Sequence, residues 1–371
     1  MNKIYFDNVS TTSLNKEVLN TYKDLLDKYY CNSDALYDDG VTVYNMQEKA
    51  RLNISKMLGV EKDEIIFTSG ASEANSLAIK GLCLNNQKKR HVITSIYEHS
   101  SVYNSFKQLE EVFGFDVTYL KPNEDGVIDP NDVLKNLRDD TLLVSIMLVN
   151  NEIGSINDIN AIKEIVKKHS GTYFHTDITQ GIGKVDIDLK DVDMASFSAH
   201  KIHGLKGSGA LIKKKHVNLI PLISGGQQEQ GIRGGTSNAL SNIVLAKTLR
   251  IALENKDKEV AYIQELKDYF YLKANEIDGV TINSPYNGVA NLINISTPIF
   301  SEVELNALNA RDIMVSSKST CGSRKNENNR TLQSLNIDED KALRVSFDYS
   351  NTKEEIDYFI DCLKEDIEKY G

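Results

Sequence analysis

The sequence predicts an α/β fold, with a large domain holding a mostly parallel sheet between helices and a smaller α+β domain. Segments with strand patterns alternate with segments of helical periodicity from about residue 64 to residue 213. Polar residues follow several of these strands directly, and such sheets bind ligands at the carboxyl ends of their strands. The 371 residues are enough for one large domain and a smaller one.

The elements of the large domain are predicted in chain order. Two helices open it, at residues 15–30 and at residues 43–58, and Gly59 is a typical C-cap for the second. Beyond them the patterns predict strands at 64–68, 91–96, 116–120, 142–149, 172–176, 192–197 and 209–213, and helices at 72–84, 101–113 and 159–168. This alternation is typical of an α/β sandwich.

The later part of the chain begins with a long predicted helix at residues 238–275. Strands near Val280, Ala290 and Leu343 and a final helix from Thr352 follow it. We therefore expect a large domain at residues 15–254 and a small domain made of residues 1–14 and 255–371. Residues 321–329 are polar and lack apolar periodicity, which predicts a surface loop.

Composition excludes several classes of function. The chain has 43 basic and 53 acidic residues and a net charge of −10, without a basic stripe, so neither nucleic acid nor a membrane is an expected partner. The longest apolar run, 142–149, is too short to span a bilayer. The four cysteines form no Cys-x-x-Cys pair, so we predict no metal site and no disulfide framework. We expect a cytoplasmic protein, because the first residues lack the apolar segment of a signal peptide.

The stretch FSAHKIHG at residues 197–204 follows a predicted buried strand. A lysine at a strand end beside a histidine suits a Schiff base with an aldehyde cofactor, because desolvation favours the neutral, nucleophilic amine. Lys201 is our candidate. A solvated loop lysine is the alternative reading, and Lys206 is then an equal candidate.

Other strand ends carry residues that suit a flat, phosphorylated ligand. In SGAS at residues 69–72, Ser72 can cap the next helix, whose free N–H groups would bind an anion. His99 can stack on a ring and move protons, and Asn151 can hydrogen-bond a ring substituent. Each of these residues could equally be an ordinary cap, loop or turn residue.

Asp177 ends another predicted strand. A buried carboxylate is costly unless it is paired, and a protonated pyridine nitrogen would be a suitable partner. A helix N-cap aspartate is an equal alternative. Neither G-x-G-x-x-G nor G-x-x-x-x-G-K-[ST] occurs, so a dinucleotide site and a P-loop lose their main support.

Together these motifs resemble the class V, fold-type I pyridoxal-phosphate enzymes, and specifically the cysteine desulfurases. The family opening YLDNAATT corresponds to YFDNVSTT at residues 5–12, and FTSGATExN corresponds to FTSGASEAN at residues 67–75. The patterns EHxSV, NNExG, HxDxxQ, SxHKxxGxKG and GGxQExGxRxGTxN follow in family order. The resemblance extends from Tyr5 to about Asp357 and implies a fold-type I transferase that uses pyridoxal 5′-phosphate.

The resemblance also implies roles for individual residues. Lys201 would hold the cofactor, Asp177 would pair its ring nitrogen, and His99 would stack on the ring and shuttle protons. The remaining implied contacts are Gln180 and Asn151 with the ring oxygen, Ala71, Ser72, Ser198 and His200 with the phosphate, and Asn8 and Asn151 with the substrate. Thr236 would reach the phosphate of a neighbouring subunit, which implies a homodimer.

Two further positions would decide the substrate and the reaction. Arg344 matches the family's R-x-S, which binds the substrate carboxylate, and a guanidinium suits that contact. Its alternative is a surface arginine on an outer strand. Cys321 ends VSSKSTC, which matches the family's SSGSAC loop, whose cysteine attacks the substrate sulfur and carries a persulfide. The nearby Lys318 and Arg324 would favour its thiolate, whereas the alternative is an inert buried cysteine.

The predicted function is therefore a cysteine desulfurase that converts L-cysteine to L-alanine. Its sulfur would pass through a persulfide to an acceptor protein in iron–sulfur cluster or tRNA-thiolation pathways. The alternatives are a selenocysteine lyase or cysteine-sulfinate desulfinase and a class V aminotransferase. A non-enzymatic alternative is an inactive scaffold for sulfur-transfer partners.

Overall fold

The computed structural model describes residues 3–86, 88–317 and 329–371. The helices there are α1 Lys16–Lys28, α2 Asp38–Leu58, α3 Ala71–Asn85, α4 Ser100–Phe113, α5 Pro130–Asn136, α6 Ile159–Lys167, α7 Ala239–Ala274, α8 Ser301–Asn309, α9 Arg330–Ser334 and α10 Lys353–Tyr370. The strands are β1 Ile4–Tyr5, β2 Ile65–Thr68, β3 His91–Ser95, β4 Asp116–Leu120, β5 Thr141–Ser145, β6 Tyr173–Asp177, β7 Met194–Ser198, β8 Gly209–Lys213, β9 Thr281–Ile282, β10 Leu292–Ser296, β11 Ile313–Met314 and β12 Ala342–Ser346.

The large sheet has seven strands in the order β2-β8-β7-β6-β5-β3-β4 within the described ranges. Strands β3 to β7 pair in parallel, whereas β8 is antiparallel to both β2 and β7. The predicted mostly parallel α/β sheet is therefore confirmed. The carboxyl ends of β6 and β7 lie side by side, with Asp177 paired to Ser196.

Both faces of this sheet are buried, which explains the continuous apolar runs of its strands. In β2, Ile65 and Phe67 belong to one hydrophobic cluster, and the intervening Ile66 belongs to the cluster on the opposite face. That opposite face is covered by α3 and α4, which supply Leu77 and Phe106. Helices therefore lie on both sides of the sheet, as predicted.

A smaller unit packs around β10, which pairs antiparallel with β9 and β12. Its core contains edge-to-face and tilted aromatic contacts among Phe6, Phe270, Phe347 and Phe359. Helix α7 joins this core to the large one, because Leu249 packs in the large core and Phe270 in the small one. The domain boundary near residue 254 stays a proposal, which this change of core within α7 supports.

Several element boundaries differ from the prediction. Helix α2 begins five residues earlier than residue 43, at Asp38, where Asp38 and Asp39 lie in the first turn and favour the helix dipole. Strand β5 ends at Ser145 instead of residue 149; Ile146 and Leu148 still donate to carbonyls of β6, whereas the Met147 N–H donates to the Glu98 carboxylate. The prediction also missed the short helices α5, α8 and α9, whose length gives little periodicity.

Within the described ranges, none of the helices combines the length and the apolar character that crossing a bilayer requires. Of the described cysteines, Cys83 and Cys362 are buried. Cys31 is only half-buried and follows the end of α1.

Candidate active site

The carboxyl ends of the parallel strands enclose a cavity of about 290 Å³. Most of the predicted site residues line its wall, although they come from segments far apart in the chain. The lining includes Ala71, Ser72, His99, Asn151, Asp177, Gln180, Ser198, His200, Lys201 and Arg344, together with Val9, Ser10, Met147, Val149 and Thr179. The side chains that motif order predicted to converge therefore lie around one space.

One end of the cavity is formed by the start of α3. Gly70 precedes the helix with a φ of +148°, a conformation that favours glycine, and a Cβ there would lie 3.1 Å from the Ser198 Oγ. Ser72 does not cap the helix as predicted, because the helix already begins at Ala71. The Ala71 N–H donates instead to the Ser198 Oγ at 2.7 Å. This end combines free helix N–H groups with hydroxyls, which suits an anion.

Asp177 lies at the end of β6 and is buried. Its Oδ2 accepts a hydrogen bond from the Asn75 side chain at 2.7 Å, and its Oδ1 accepts one from the Thr179 N–H at 2.9 Å. These donors hold the carboxylate in place and stabilise its charge. A carboxylate has about four acceptor positions, so Asp177 can also accept a hydrogen bond from a cationic N–H of a ligand in the cavity.

His99 is oriented by the first turn of α4. Its Nδ1 accepts the Ser101 N–H at 3.2 Å and lies 2.8 Å from the Ser101 Oγ. The proton of the neutral ring is therefore on Nε2. Burial lowers the pKa of His99, so the ring is neutral near neutral pH and can either stack on a ligand or exchange a proton.

Lys201 is placed on the cavity wall, whereas Lys206 is exposed on the surface. The Lys201 Nζ donates to the backbone carbonyls of Val9 at 2.6 Å and Ser10 at 2.7 Å. The N-terminal segment therefore reaches across the sheet edge and positions this amine. Of the two candidate lysines, the position of Lys201 suits a covalent bond to a ligand in the cavity.

Arg344 is 2% exposed and lines the cavity, so the alternative of a surface arginine is wrong. It donates to Glu152 at 3.0 Å, to the Ser10 Oγ at 2.8 Å and to Asp7 at 3.4 Å. Two carboxylates compensate the buried charge, as buried cations require. The guanidinium is therefore fixed at the cavity wall, and its Nε–H has no acceptor among the described residues.

The remaining lining residues are held by backbone contacts or by neighbouring side chains. Gln180 donates to the Val9 carbonyl at 3.1 Å, and Asn151 donates to Glu152 at 2.7 Å. The His200 Nδ1 lies 3.2 Å from the Thr11 Oγ1, and burial lowers its pKa to about 4. His200 is therefore neutral and can donate or accept a hydrogen bond but adds no charge.

Two predicted site residues lie outside the lining of this cavity. Asn8 donates to the backbone carbonyls of Tyr5 and Ser346 and faces a second cavity beside Lys201. Thr236 is exposed in the loop before α7. Cys321, with Lys318 and Arg324, lies outside the described residues.

Sequence reasoning assigned no role to Asn75 or Glu152, which hold Asp177 and Arg344. Both residues lie inside quoted motifs, FTSGASEAN and NNExG, so a signal was present in the sequence. What the motifs do not reveal is the partner, because Asn75 and Asp177 are 102 positions apart.

The class-V aminotransferase family matches residues 4–359 of this chain. The chain belongs to that family. It is 38% identical to a protein named cysteine desulfurase IscS from Dictyoglomus turgidum, over 99% of this chain and 95% of that protein. A cysteine desulfurase IscS from Clostridium botulinum is also 38% identical, over 100% of this chain and 96% of that protein.

Solved structures of the family have the same architecture. A NifS-like protein superposes with a TM-score of 0.93 at 33% identity, covering 99% of this chain and 100% of the other. A structure described as SspA in complex with cysteine has a TM-score of 0.83 at 33% identity, covering 94% of this chain and all of the other. The fold-type I architecture expected from the motifs is thus confirmed.

The residues of the cavity fit pyridoxal phosphate, the cofactor that the family resemblance implies. The start of α3 and Ser198 form an anion cradle in which a Cβ at Gly70 would be strained. The cavity wall also carries the fixed carboxylate of Asp177, the imidazole ring of His99 and the amine of Lys201. The cradle suits the phosphate of the cofactor, and Asp177 suits its pyridinium nitrogen. His99 suits its flat ring, and Lys201 suits its aldehyde.

Proposed function

We propose that this chain is a pyridoxal-phosphate-dependent cysteine desulfurase that converts L-cysteine to L-alanine and transfers the sulfur to Cys321. The observation that carries the proposal is the convergence of Lys201, Asp177, His99 and Arg344 on one cavity. The near full-length similarity to proteins named cysteine desulfurase supports the choice of reaction. A relative described in complex with cysteine supports the choice of substrate.

The cofactor, when bound, would supply the electron sink that makes the bonds around the substrate's α-carbon reactive. Lys201 would hold the cofactor, and its amine would accept and return a proton after its release. Asp177 would stabilise positive charge at the ring nitrogen, because Asn75 and Thr179 hold its carboxylate in place. His99 would stack on the ring and exchange a proton through Nε2.

Substrate orientation would come from Arg344. Glu152 and Asp7 hold its guanidinium at the cavity wall. A substrate carboxylate there would be fixed relative to the amine of Lys201. Asn8 would act indirectly. Its side chain donates to the backbone carbonyl of Ser346, which lies on the same strand as Arg344.

Sulfur removal would depend on Cys321. Its thiolate would attack the substrate sulfur, the carbon–sulfur bond would break, and its electron pair would return to the carbon skeleton, which is protonated to give alanine. Cys321 would retain the sulfur as a persulfide for an acceptor protein. This role comes from the match of residues 315–321 to the family loop.

A homodimer is part of the proposal. Thr236 is exposed in a loop, where it is available to a second copy. In the adjacent segment before α2, Tyr30 and Leu36 are each 94% exposed, which is unusual for large apolar side chains on a monomer. Gln228 of the same loop donates to Asp34, so the loop and this apolar segment form one surface.

The test is Cys321→Ser with cysteine as substrate, measuring alanine and protein-bound sulfane sulfur together. We expect the variant to bind cofactor and cysteine but to form no persulfide and little alanine, because a hydroxyl is a poor nucleophile toward sulfur. Cys31→Ser is the matched control and should behave as the wild type. Full alanine release by Cys321→Ser would remove Cys321 from the mechanism.

The sibling reactions are separated by offering cysteine, selenocysteine and cysteine sulfinate in parallel. The leaving groups of the last two can depart without thiolate attack. A marked preference for either, retained in Cys321→Ser, would replace the desulfurase proposal with a lyase or a desulfinase.

A further inference from the structure

The loop between β8 and α7, residues 214–238, packs beside the anion cradle at the start of α3. From this loop, the Arg233 Nε donates to the Glu73 carboxylate at 2.9 Å. Glu73 lies in the first turn of α3 and directly follows Ser72, which lines the cavity. An ion pair is therefore built into the helix turn that suits an anion.

Glu73 contacts the loop with one oxygen and the cradle with the other. Its Oε1 accepts from Arg233, and its Oε2 accepts the Ser69 N–H at 2.8 Å. The two side chains are 15% and 25% exposed, for Glu73 and Arg233 respectively. Burial raises the pKa of Glu73, but the hydrogen bonds from Arg233 and Ser69 outweigh burial and bring the pKa below its ordinary value of 4.5. Glu73 is therefore negatively charged at neutral pH.

A negative charge at this position opposes anion binding unless it is compensated. The free N–H groups and the dipole of a helix N-terminus attract an anion, whereas a carboxylate in the same turn repels it. The side chains of Ser72, Ser198 and His200 add no positive charge to the cradle, because two are hydroxyls and burial lowers the pKa of His200 to about 4. The compensating cation is Arg233.

The loop has a second attachment that does not involve Arg233. The Glu229 carboxylate accepts two hydrogen bonds from Arg51, at 2.7 and 2.8 Å, and one from the Phe67 N–H at 2.8 Å. Glu229 and Gln230 have φ angles of +45° and +60°, a conformation that residues other than glycine rarely adopt. These three bonds hold the loop against β2, so the charge of Arg233 can be removed while this attachment remains.

We infer that Arg233 is a positioning residue for the cofactor phosphate, because it neutralises Glu73 and holds that carboxylate on the Ser69 N–H. The inference rests on the proposed function, since it assumes that pyridoxal phosphate binds in this cavity. It gives the two partners of one ion pair opposite effects. Loss of the Arg233 charge weakens phosphate binding, whereas loss of the Glu73 charge does not.

The test measures the equilibrium binding of two aldehydes by the full-length protein stripped of cofactor. Pyridoxal phosphate carries the phosphate and pyridoxal lacks it, and absorbance titration follows both. We expect Arg233→Gln to weaken the binding of pyridoxal phosphate about 10-fold and to leave the binding of pyridoxal unchanged. Glu73→Gln should bind pyridoxal phosphate at least as tightly as the wild type, because the amide oxygen can still accept the Ser69 N–H.

Three further variants separate charge from packing. Arg233→Lys keeps the positive charge and should retain most of the affinity for pyridoxal phosphate. The double variant Glu73→Gln/Arg233→Gln should recover most of the affinity that Arg233→Gln loses, because no uncompensated charge remains. Arg138→Gln removes a cation that pairs with Asp116 where β4 begins, and should change neither affinity.

The outcomes distinguish this inference from the proposed function. An equal loss of affinity for both aldehydes in Arg233→Gln, or weaker binding of pyridoxal phosphate by Glu73→Gln, would reduce the ion pair to a packing contact of the loop. The desulfurase proposal would then remain intact. A wild-type protein that binds neither aldehyde would overturn both.

Discussion

The two units of the molecule bury charged side chains in different ways. At the carboxyl edge of the large sheet, Asp177 and Lys201 face a common cavity. In the smaller unit, Lys267 donates only into a backbone loop, and Asp366 pairs with Arg311 beside the buried Glu304. Both arrangements place ionisable groups in the interior, but only those of the first face an open space.

Arg344 shows that this difference does not follow the boundary between the units. It lies on β12 of the smaller sheet, yet its side chain reaches the cavity of the large one. Buried charge is therefore a functional signal when the group faces a cavity, and a structural one when it faces only packed protein.

The largest effect is expected for Lys201→Ala. The variant should carry no covalently bound cofactor and should release alanine at least about 100-fold more slowly, because the amine both holds the cofactor and transfers the proton. Borohydride reduction followed by peptide mapping checks the attachment. The control Lys206→Ala should keep the label on Lys201, and a label found on Lys206 would reverse the assignment.

The second largest effect is expected for Asp177→Asn. Loss of the fixed charge opposite the ring nitrogen should slow alanine release by about 10²–10³-fold. The matched control is Asp366→Asn, a buried acid in the smaller unit, which should weaken stability against denaturant and leave the rate largely unchanged. Similar rates for Asp177→Asn and the wild type would reduce Asp177 to a structural partner of Asn75 and Thr179.

Arg344→Lys should act on substrate binding and retain the buried positive charge. We expect the KM for cysteine to rise by the equivalent of about 2–4 kcal/mol, because an ammonium cannot make the paired contact of a guanidinium. Steady-state kinetics at saturating cofactor provide the measurement. Arg311→Lys, in the smaller unit, is the control and should leave KM unchanged; a shift of equal size in both variants would contradict the role of Arg344.

The smallest effect on activity is expected for Glu304→Gln. Burial and the neighbouring Asp366 raise the pKa of Glu304 from its ordinary value of 4.5 to about 8. The folded protein then holds a proton that the unfolded chain releases, so stability falls as pH rises from about 4.5 to about 8. Glu304→Gln should lose this part of the dependence of the unfolding free energy on pH, while its activity is unchanged. Denaturant titrations at several pH values provide the measurement. An identical slope in both proteins would show that Glu304 ionises freely.

Local sequence determined much of the fold and the identity of the main site residues. Periodicity located the strands from β2 to β8, and position at strand ends indicated Asp177, His99 and Lys201, because parallel strands bring their carboxyl ends to one edge. Motif order then indicated Arg344 and the start of α3. Position at a strand end alone left an ordinary loop or cap role open for each of these residues, and the resemblance to the family decided between the alternatives.

Tertiary structure alone decided which side chains hold those residues. Asp177 is fixed by Asn75 and Arg344 by Glu152, which lie 102 and 192 positions away in the chain. The choice between Lys201 and Lys206 depended on which amine faces the cavity, and only the packing of distant segments decides this. Such contacts depend on packing between distant segments, whereas sequence patterns report only local periodicity and spacing.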